Sequence, residues 1–222
     1  MFYLLGSSVV VFTIILTVIA HKRQKKQLKE LEEKLLYFKE QIKIFFAEYF
    51  EIRKQYVSES TESIFVSKWQ NLYSELAKFH ISQKHNEYEE IALFRKTYAN
   101  LHNYFKTANS QFIQNESIKH DALFSNIDGK SLDEQQRTAV INDEDRILVL
   151  AGAGSGKTLT ISAKVKYLCE VKNVNPNEIL LISFTKKSAE EMTERIQSKL
   201  HIPAVATTFH KLGLKRQRLT PL

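Results

Sequence analysis

A chain of 222 residues with 43% hydrophobic content holds enough apolar material for one or two modest cores, which excludes a disordered tail. A formal net charge of +7 points to a polyanionic partner, nucleic acid or an anionic membrane surface, without choosing between them. The lone cysteine, Cys169, excludes an internal disulfide and reads as core filler in a reduced, cytosolic setting.

From Phe2 to Ala20 the chain carries no charge and is rich in Val, Ile, Leu and Phe. At ~1.5 Å per residue such a run reaches about 30 Å, so residues 1–20 are expected to form a transmembrane helix. A secretory signal ending near Val18 and Ala20 is the competing reading, but no Lys or Arg precedes the run. The basic cluster Lys22, Arg23, Lys25, Lys26 and Lys29 follows directly. Basic residues beside a span stay inside, so the expected localisation is single-pass membrane, with the N-terminus out and the bulk of the chain in the cytoplasm.

Residues 21–128 read as helical. Leu28, Leu31, Leu35, Phe38, Ile42, Phe45, Tyr49, Ile52 and Tyr56 step by three and four, which draws one apolar stripe along a helix. Phe65, Trp69, Leu72, Leu76 and Phe79 repeat the spacing, as do Ile91, Phe94, Tyr98, Leu101 and Phe105. Aromatics suit packing among neighbouring helices better than a parallel zipper, so antiparallel helices are expected, with breaks at Ser58–Ser63 and Ser82–Glu87. The interleaved aromatic and basic residues could form a stacking platform for single strands, but strict helical spacing favours core. His80, His85, His102 and His120 show no metal-ligand spacing.

Residues 129–222 change character. Ser131 to Glu134 fits a capping box that starts a helix carrying Gln136, Arg137, Ala139 and Val140. Ile147 to Leu150 is a short apolar run of the kind expected for a strand buried in a parallel sheet. It leads straight into Ala151-Gly152-Ala153-Gly154-Ser155-Gly156-Lys157-Thr158. Strand, glycine-rich loop and helix start are the context in which this motif binds phosphate. The glycines let successive amides curl into an anion nest at a helix N-terminus. Lys157 then reaches the β and γ phosphates, and the Thr158 hydroxyl is placed to ligate Mg2+. ATP and Mg2+ are therefore the expected cofactors, held by residues 151–158. Further on, Ile179 to Phe184 reads as a strand, Ser188 to Leu200 as an amphipathic helix and Ala204 to Thr207 as a second strand.

The stretch from Leu132 to Leu214 resembles the first motor domain of superfamily 1 DNA helicases of the UvrD/Rep type, in which Ala is usual at the position of Ala151. The run Leu132-Asp133-Glu134-Gln135-Gln136-Arg137-Thr138-Ala139-Val140 looks like the family's adenine-reading motif, which implies nucleotide contacts at Gln136 and Arg137. Phe184-Thr185-Lys186 and Thr208-Phe209-His210 look like the blocks that touch single-stranded DNA, the implied partner. Lys186 stands where the family often has Asn, and a lysine there could meet a phosphate.

The fold class these readings give is α/β: a partial RecA-like phosphate-loop sheet in the C-terminal part, behind an N-terminal transmembrane helix and an α-helical region. Turnover in such motors needs an acidic pair after an apolar strand and charge-stabilising arginines. Glu170, Glu178, Glu190, Glu191 and Glu194 do not end such a strand. A truncated reading frame or a fragment is thus expected, with weak nucleotide binding and little or no ATPase or unwinding by the isolated chain. Two other readings remain: a membrane-tethered helical protein that binds a partner and carries a vestigial loop, and a switch that binds ATP without hydrolysis.

Overall fold

A computed structural model describes residues 2–82, 85–152 and 154–217, with side chains described for 16–82, 85–152 and 154–214. Two compact units form, one from Met1–Arg53 and Thr61–Tyr104, the other from Lys54–Ser60 and Phe105–Leu222.

The first unit is helical. Helix α1 spans Phe2–Ile52, α2 spans Glu59–Lys78 and α3 spans Tyr88–Ala99. The exposed part of α1 is held by its own (i, i+4) ion pairs, Lys26–Glu30 at 3.8 Å and Lys29–Glu33 at 3.7 Å. From Leu35 onward the stripe is buried: Leu35, Phe38, Ile42, Phe45 and Tyr49 pack inward. Phe45 meets Phe65, Trp69 and Phe94, with ring centroids 5.4, 5.5 and 4.8 Å away. Lys34 pairs with Glu75 and Glu48 with Lys68, so α1 and α2 run antiparallel. The Tyr98 hydroxyl donates to the Val66 carbonyl at 2.8 Å, and Arg95 donates to the carbonyls of Leu76 and Phe79, so α3 runs antiparallel to α2. At the outer end the stripe is not covered, since Leu28 and Leu31 are exposed.

The expected membrane span is corrected. The apolar run is the first part of the continuous 51-residue α1, and every side chain from Leu16 to Lys34 is exposed. Among the described residues no helix is long and apolar enough to cross a membrane. The side chains of residues 1–15, where most of that expectation fell, lie outside the described residues. The single-pass localisation drawn from it is withdrawn with it.

The second unit holds the end of α4 (Leu101–Lys119), α5 (Asp121–Phe124), α6 (Glu134–Ile141), α7 (Lys157–Glu170), β1 (Leu181–Ser183), α8 (Lys186–Glu194), β2 (Ala206–Thr208) and α9 (Phe209–Gln217). A π-helical turn, Arg195–Lys199, extends α8. One core joins these elements around Phe124, Ile127, Val140, Ile141, Val165, Tyr167 and Ile196. The half-buried Cys169 packs against it, and burial pushes its thiol above the ordinary range, as suits core filler.

Strands β1 and β2 pair in parallel, Leu181 beside Ala206 and Ser183 beside Thr208. The outer amide of Ala206 is taken by Thr193 of α8, whose hydroxyl accepts it at 2.9 Å. The expected RecA-like sheet is not formed: the described residues hold this two-stranded pair alone. Ile147 to Leu150 enter no ladder, and Leu148 and Leu150 are 84% and 87% exposed. A strand buried on both faces requires hydrogen-bonded neighbours, and no described segment lends an edge to these four residues.

Helix α4 is fastened to α7 by a buried pair. The Tyr167 hydroxyl donates to Glu116 at 2.7 Å, and Lys119 reaches the same carboxylate at 3.2 Å. Burial alone would raise the Glu116 pKa, but the bonds from Tyr167 and Lys119 and the charges of Lys119 and His120 hold it below its ordinary value. Unfolding releases that carboxyl to an ordinary pKa of about 4.3. Its contribution is therefore complete above that value and lost as pH falls through the lower, folded one. We expect Glu116→Gln to cost about 1–2 kcal/mol at pH 7. In urea titrations the gap between native chain and variant should shrink from pH 5.5 to pH 3; a constant gap would refute the linkage.

Candidate nucleotide-binding site

The loop is built between two helices. Asp133 is the N-cap of α6: its carboxylate accepts the Gln136 amide at 2.8 Å, and the Gln136 side-chain oxygen accepts the Asp133 amide at 3.1 Å. The capping box is thus Asp133-x-x-Gln136, two residues beyond the expected Ser131-x-x-Glu134. The Gln136 Nε2 is left free to reach across and donate to the Ser155 carbonyl at 3.1 Å. The residue expected to meet adenine is in this way bonded to the loop that follows Leu150.

Within the loop, Gly154 and Gly156 have φ values of 76° and 82°, the left-handed region glycine enters without strain. Gly156 is also the N-cap of α7. A Cβ there would lie 2.7 Å from Gln136 Nε2, so a side chain at this position would displace the end of Gln136 besides straining the backbone. Ser155 Oγ donates to the Gly152 carbonyl at 2.9 Å and tightens the turn. Lys157 Nζ folds back over the loop, donating to the carbonyls of Ala151 at 3.0 Å and Gly152 at 2.5 Å. Thr158 is exposed at the second residue of α7. Ala153 lies outside the described residues.

A cavity of about 620 Å³ opens beside the loop, lined by Gln136, Ala139 and Asn142 of one wall, Ile147 to Gly152 of a second, and Ser155, Lys157, Thr160 and Ile161 of a third. Its volume is within the range for ligands of nucleotide size. The residues present fit ATP with Mg2+: left-handed glycines and amides at a helix N-terminus for phosphate, a lysine over the loop, an exposed threonine hydroxyl for the cation, and the Gln136 amide side chain in the cavity lining beside the loop.

Arg137 is not brought to this cavity. Its guanidinium donates to Asp121 at 2.6 Å, to Ser125 at 3.1 Å and to the Leu132 carbonyl at 3.2 Å, and lies over the Phe124 ring. The arginine holds α5 to α6.

The two other blocks meet at one edge of the β1–β2 pair. Because the strands are parallel and in register, Phe184-Thr185 and Phe209-His210 leave from neighbouring carboxyl ends. Phe184 and Phe209 are 96% and 72% exposed. Thr185 caps α8, accepting the Ser188 amide at 3.1 Å, and Thr208 accepts the Lys211 amide at 3.3 Å. Both threonines thus start helices, which aims the helix N-termini at the same edge. Lys186 is largely solvated and pairs with Glu190 at 3.7 Å, and His210 is exposed.

Sequence reading missed two residues of this site. Asp133 could have been found, since Asp-x-x-Gln is as good a capping box as Ser-x-x-Glu. Lys164 could not: nothing local marks a lysine on α7 whose Nζ donates to the Val140 carbonyl at 2.9 Å and the Asn142 carbonyl at 2.7 Å.

The chain is similar over part of its length to known DNA helicases. DNA helicase IV of Escherichia coli is 36% identical over 137 residues, which is 58% of this chain and 20% of that protein. That match is longer than the stretch from Leu132 to the last residue, so the likeness extends into the helices ahead of the loop. A probable DNA helicase II homologue of Mycoplasma capricolum is 48% identical over 92 residues, 40% of this chain and 13% of its own length. The ATP-dependent DNA helicase PcrA of Staphylococcus aureus is 39% identical over 87 residues, 38% of this chain and 12% of its own. The chain therefore spans a fifth or less of the length of these relatives. Residues 132–219 match the UvrD/REP helicase N-terminal domain, and over that stretch the chain is homologous to DNA helicases of the UvrD/Rep type.

Proposed function

We propose that residues 129–217 form a nucleotide-binding part of a DNA helicase motor, in which ATP held at Gly152–Thr158 is coupled to contact with single-stranded DNA at the carboxyl ends of β1 and β2. The observation that carries this reading is the bond from Gln136 to the Ser155 carbonyl, which joins an adenine-side residue to a left-handed glycine loop. Thr158 would help to hold Mg2+, which would offset the phosphate charge of ATP. The chain's own part is to neutralise that charge with the loop amides and Lys157, and to orient the base with Gln136. Exposed Phe184 and Phe209 offer ring faces on which bases can stack.

A second reading, nucleotide binding without turnover by this chain, is favoured by one observation. Strands β1 and β2 end at Ser183 and Thr208, neither of which is the carboxylate that would position Mg2+ and an attacking water.

One experiment on the whole chain tests both. MgATP should slow amide exchange across residues 154–158, a labelled oligo-dT should bind more weakly as salt rises, and no phosphate should be released. Unchanged exchange at millimolar MgATP would overturn the nucleotide reading. Phosphate release that depends on DNA and disappears in Lys157→Ala would overturn the second.

A further inference from the structure

Helix α6 forms one wall of the cavity, and it is tied to the loop and α7 at both ends. At its start, Gln136 Nε2 donates to the Ser155 carbonyl at 3.1 Å. At its finish, Lys164 from the middle of α7 donates to two carbonyls, Val140 at 2.9 Å and Asn142 at 2.7 Å.

The Val140 carbonyl is among the last four of α6, which have no partner within the helix, and the Asn142 carbonyl belongs to the residue that caps it. An ammonium placed there satisfies them and sits at the negative end of the helix dipole. The neighbours of Lys164 on α7, Ala163 and Val165, are buried, as are Val140 and Ile141 on α6. Burial pushes the Lys164 ammonium below its ordinary pKa, with Asp143 opposing that drop and Lys172 adding to it. A charge kept in a half-buried place is best met by acceptors, and the acceptors here are at the end of the cavity wall. Asn142, whose carbonyl Lys164 holds, itself lines the cavity.

We propose that Lys164 is a positioning residue of the nucleotide site: by pinning the end of α6 to α7 it fixes the wall that carries Gln136, and so sets affinity for the base of the nucleotide without touching its phosphates. This inference rests on the nucleotide reading above. The phosphates belong to residues 151–158, which keep bonds of their own from Ser155 and Lys157 besides the one from Gln136 at the start of α6, whereas the pin acts at the finish of that helix. The base belongs to the α6 wall. Loss of the pin therefore separates the two.

The test measures binding of MgATP and of inorganic tripolyphosphate with Mg2+ to the whole chain and to its Lys164→Met, Lys164→Gln and Lys164→Arg variants. Gln keeps one donor and is the milder change should Met unfold the chain; Arg keeps donors for two carbonyls. We expect Met to weaken ATP about tenfold, roughly the free energy of one hydrogen bond to a charged group, with Gln intermediate. Tripolyphosphate should change less than twofold throughout, and Arg should restore ATP to within about threefold. Equal losses for ATP and tripolyphosphate, or no loss for ATP, would overturn the positioning role and leave the nucleotide reading standing. Failure of the unaltered chain to bind either ligand would overturn both.

Discussion

Gly156→Ala should abolish useful MgATP binding, weakening it about a hundredfold, whereas Gly154→Ala should weaken it about tenfold. Both glycines hold φ in the left-handed region, at 82° and 76°, where a Cβ costs roughly 1–2 kcal/mol. At Gly154 nothing among the described residues lies within 4 Å of the added atom, so the penalty there is backbone strain. At Gly156 the new Cβ would stand 2.7 Å from Gln136 Nε2. That amide group is not free to swing away, because its oxygen accepts the Asp133 amide and its nitrogen donates to the Ser155 carbonyl. Retreat breaks at least one of these bonds, about 1 kcal/mol more, and unseats the base-side wall as well. Together these come to about 3 kcal/mol, or two decades in Kd. Calorimetric titration of both variants decides the matter. Equal losses would mean that strain alone operates and that the approach of Gln136 to the loop is unimportant.

Why this loop was legible from sequence and its surroundings were not follows from the range of the forces involved. Gly154, Gly156, Lys157 and Thr158 act through local backbone geometry, and so their spacing announces them. The buried faces of Phe38, Phe45 and Phe94 were legible for a similar reason: a helix repeats every 3.6 residues whatever packs against it. Ile147 to Leu150 misled because a strand is made by its neighbours, and apolar composition does not supply them. The two capping boxes, Ser131-x-x-Glu134 and Asp133-x-x-Gln136, are indistinguishable as spacing. Burial of Leu132 at 3% exposure, with its amide given to the Phe124 carbonyl at 2.9 Å, places the start of the helix after it. The resemblance implies a nucleotide contact at Arg137, whereas its guanidinium donates to Asp121, sixteen residues earlier in the chain. The N-terminal run misleads in another way: apolar composition over residues 2–20 suggests a span, whereas among the described residues no helix is long and apolar enough to cross a membrane.

Packing concentrates the largest stability effect of the first unit at Phe45. Phe45 is fully buried and touches rings from three helices: Tyr49 on its own, Phe65 and Trp69 on α2, Phe94 and Tyr98 on α3. Removing the ring forfeits its transfer free energy and leaves a cavity that three helices cannot all close. Phe45→Ala should therefore cost about 3–5 kcal/mol. Phe50, five residues along α1, is 58% exposed, and Phe50→Ala should cost no more than about 0.5 kcal/mol. The only tryptophan, Trp69, stands edge-on to Phe45 with centroids 5.5 Å apart, so its fluorescence reports the unfolding of this unit directly. With a urea slope of ~1–3 kcal/mol/M, Phe45→Ala lowers the midpoint by more than about 1 M, or leaves the unit unfolded without denaturant. The pair of variants also decides what the aromatic residues are for. If they served mainly to stack single-stranded DNA, Phe50→Ala would weaken oligo-dT binding while Phe45→Ala left stability nearly intact. Packing makes the opposite demand: Phe45 holds the helices together, and Phe50 can be removed at little cost to either folding or DNA.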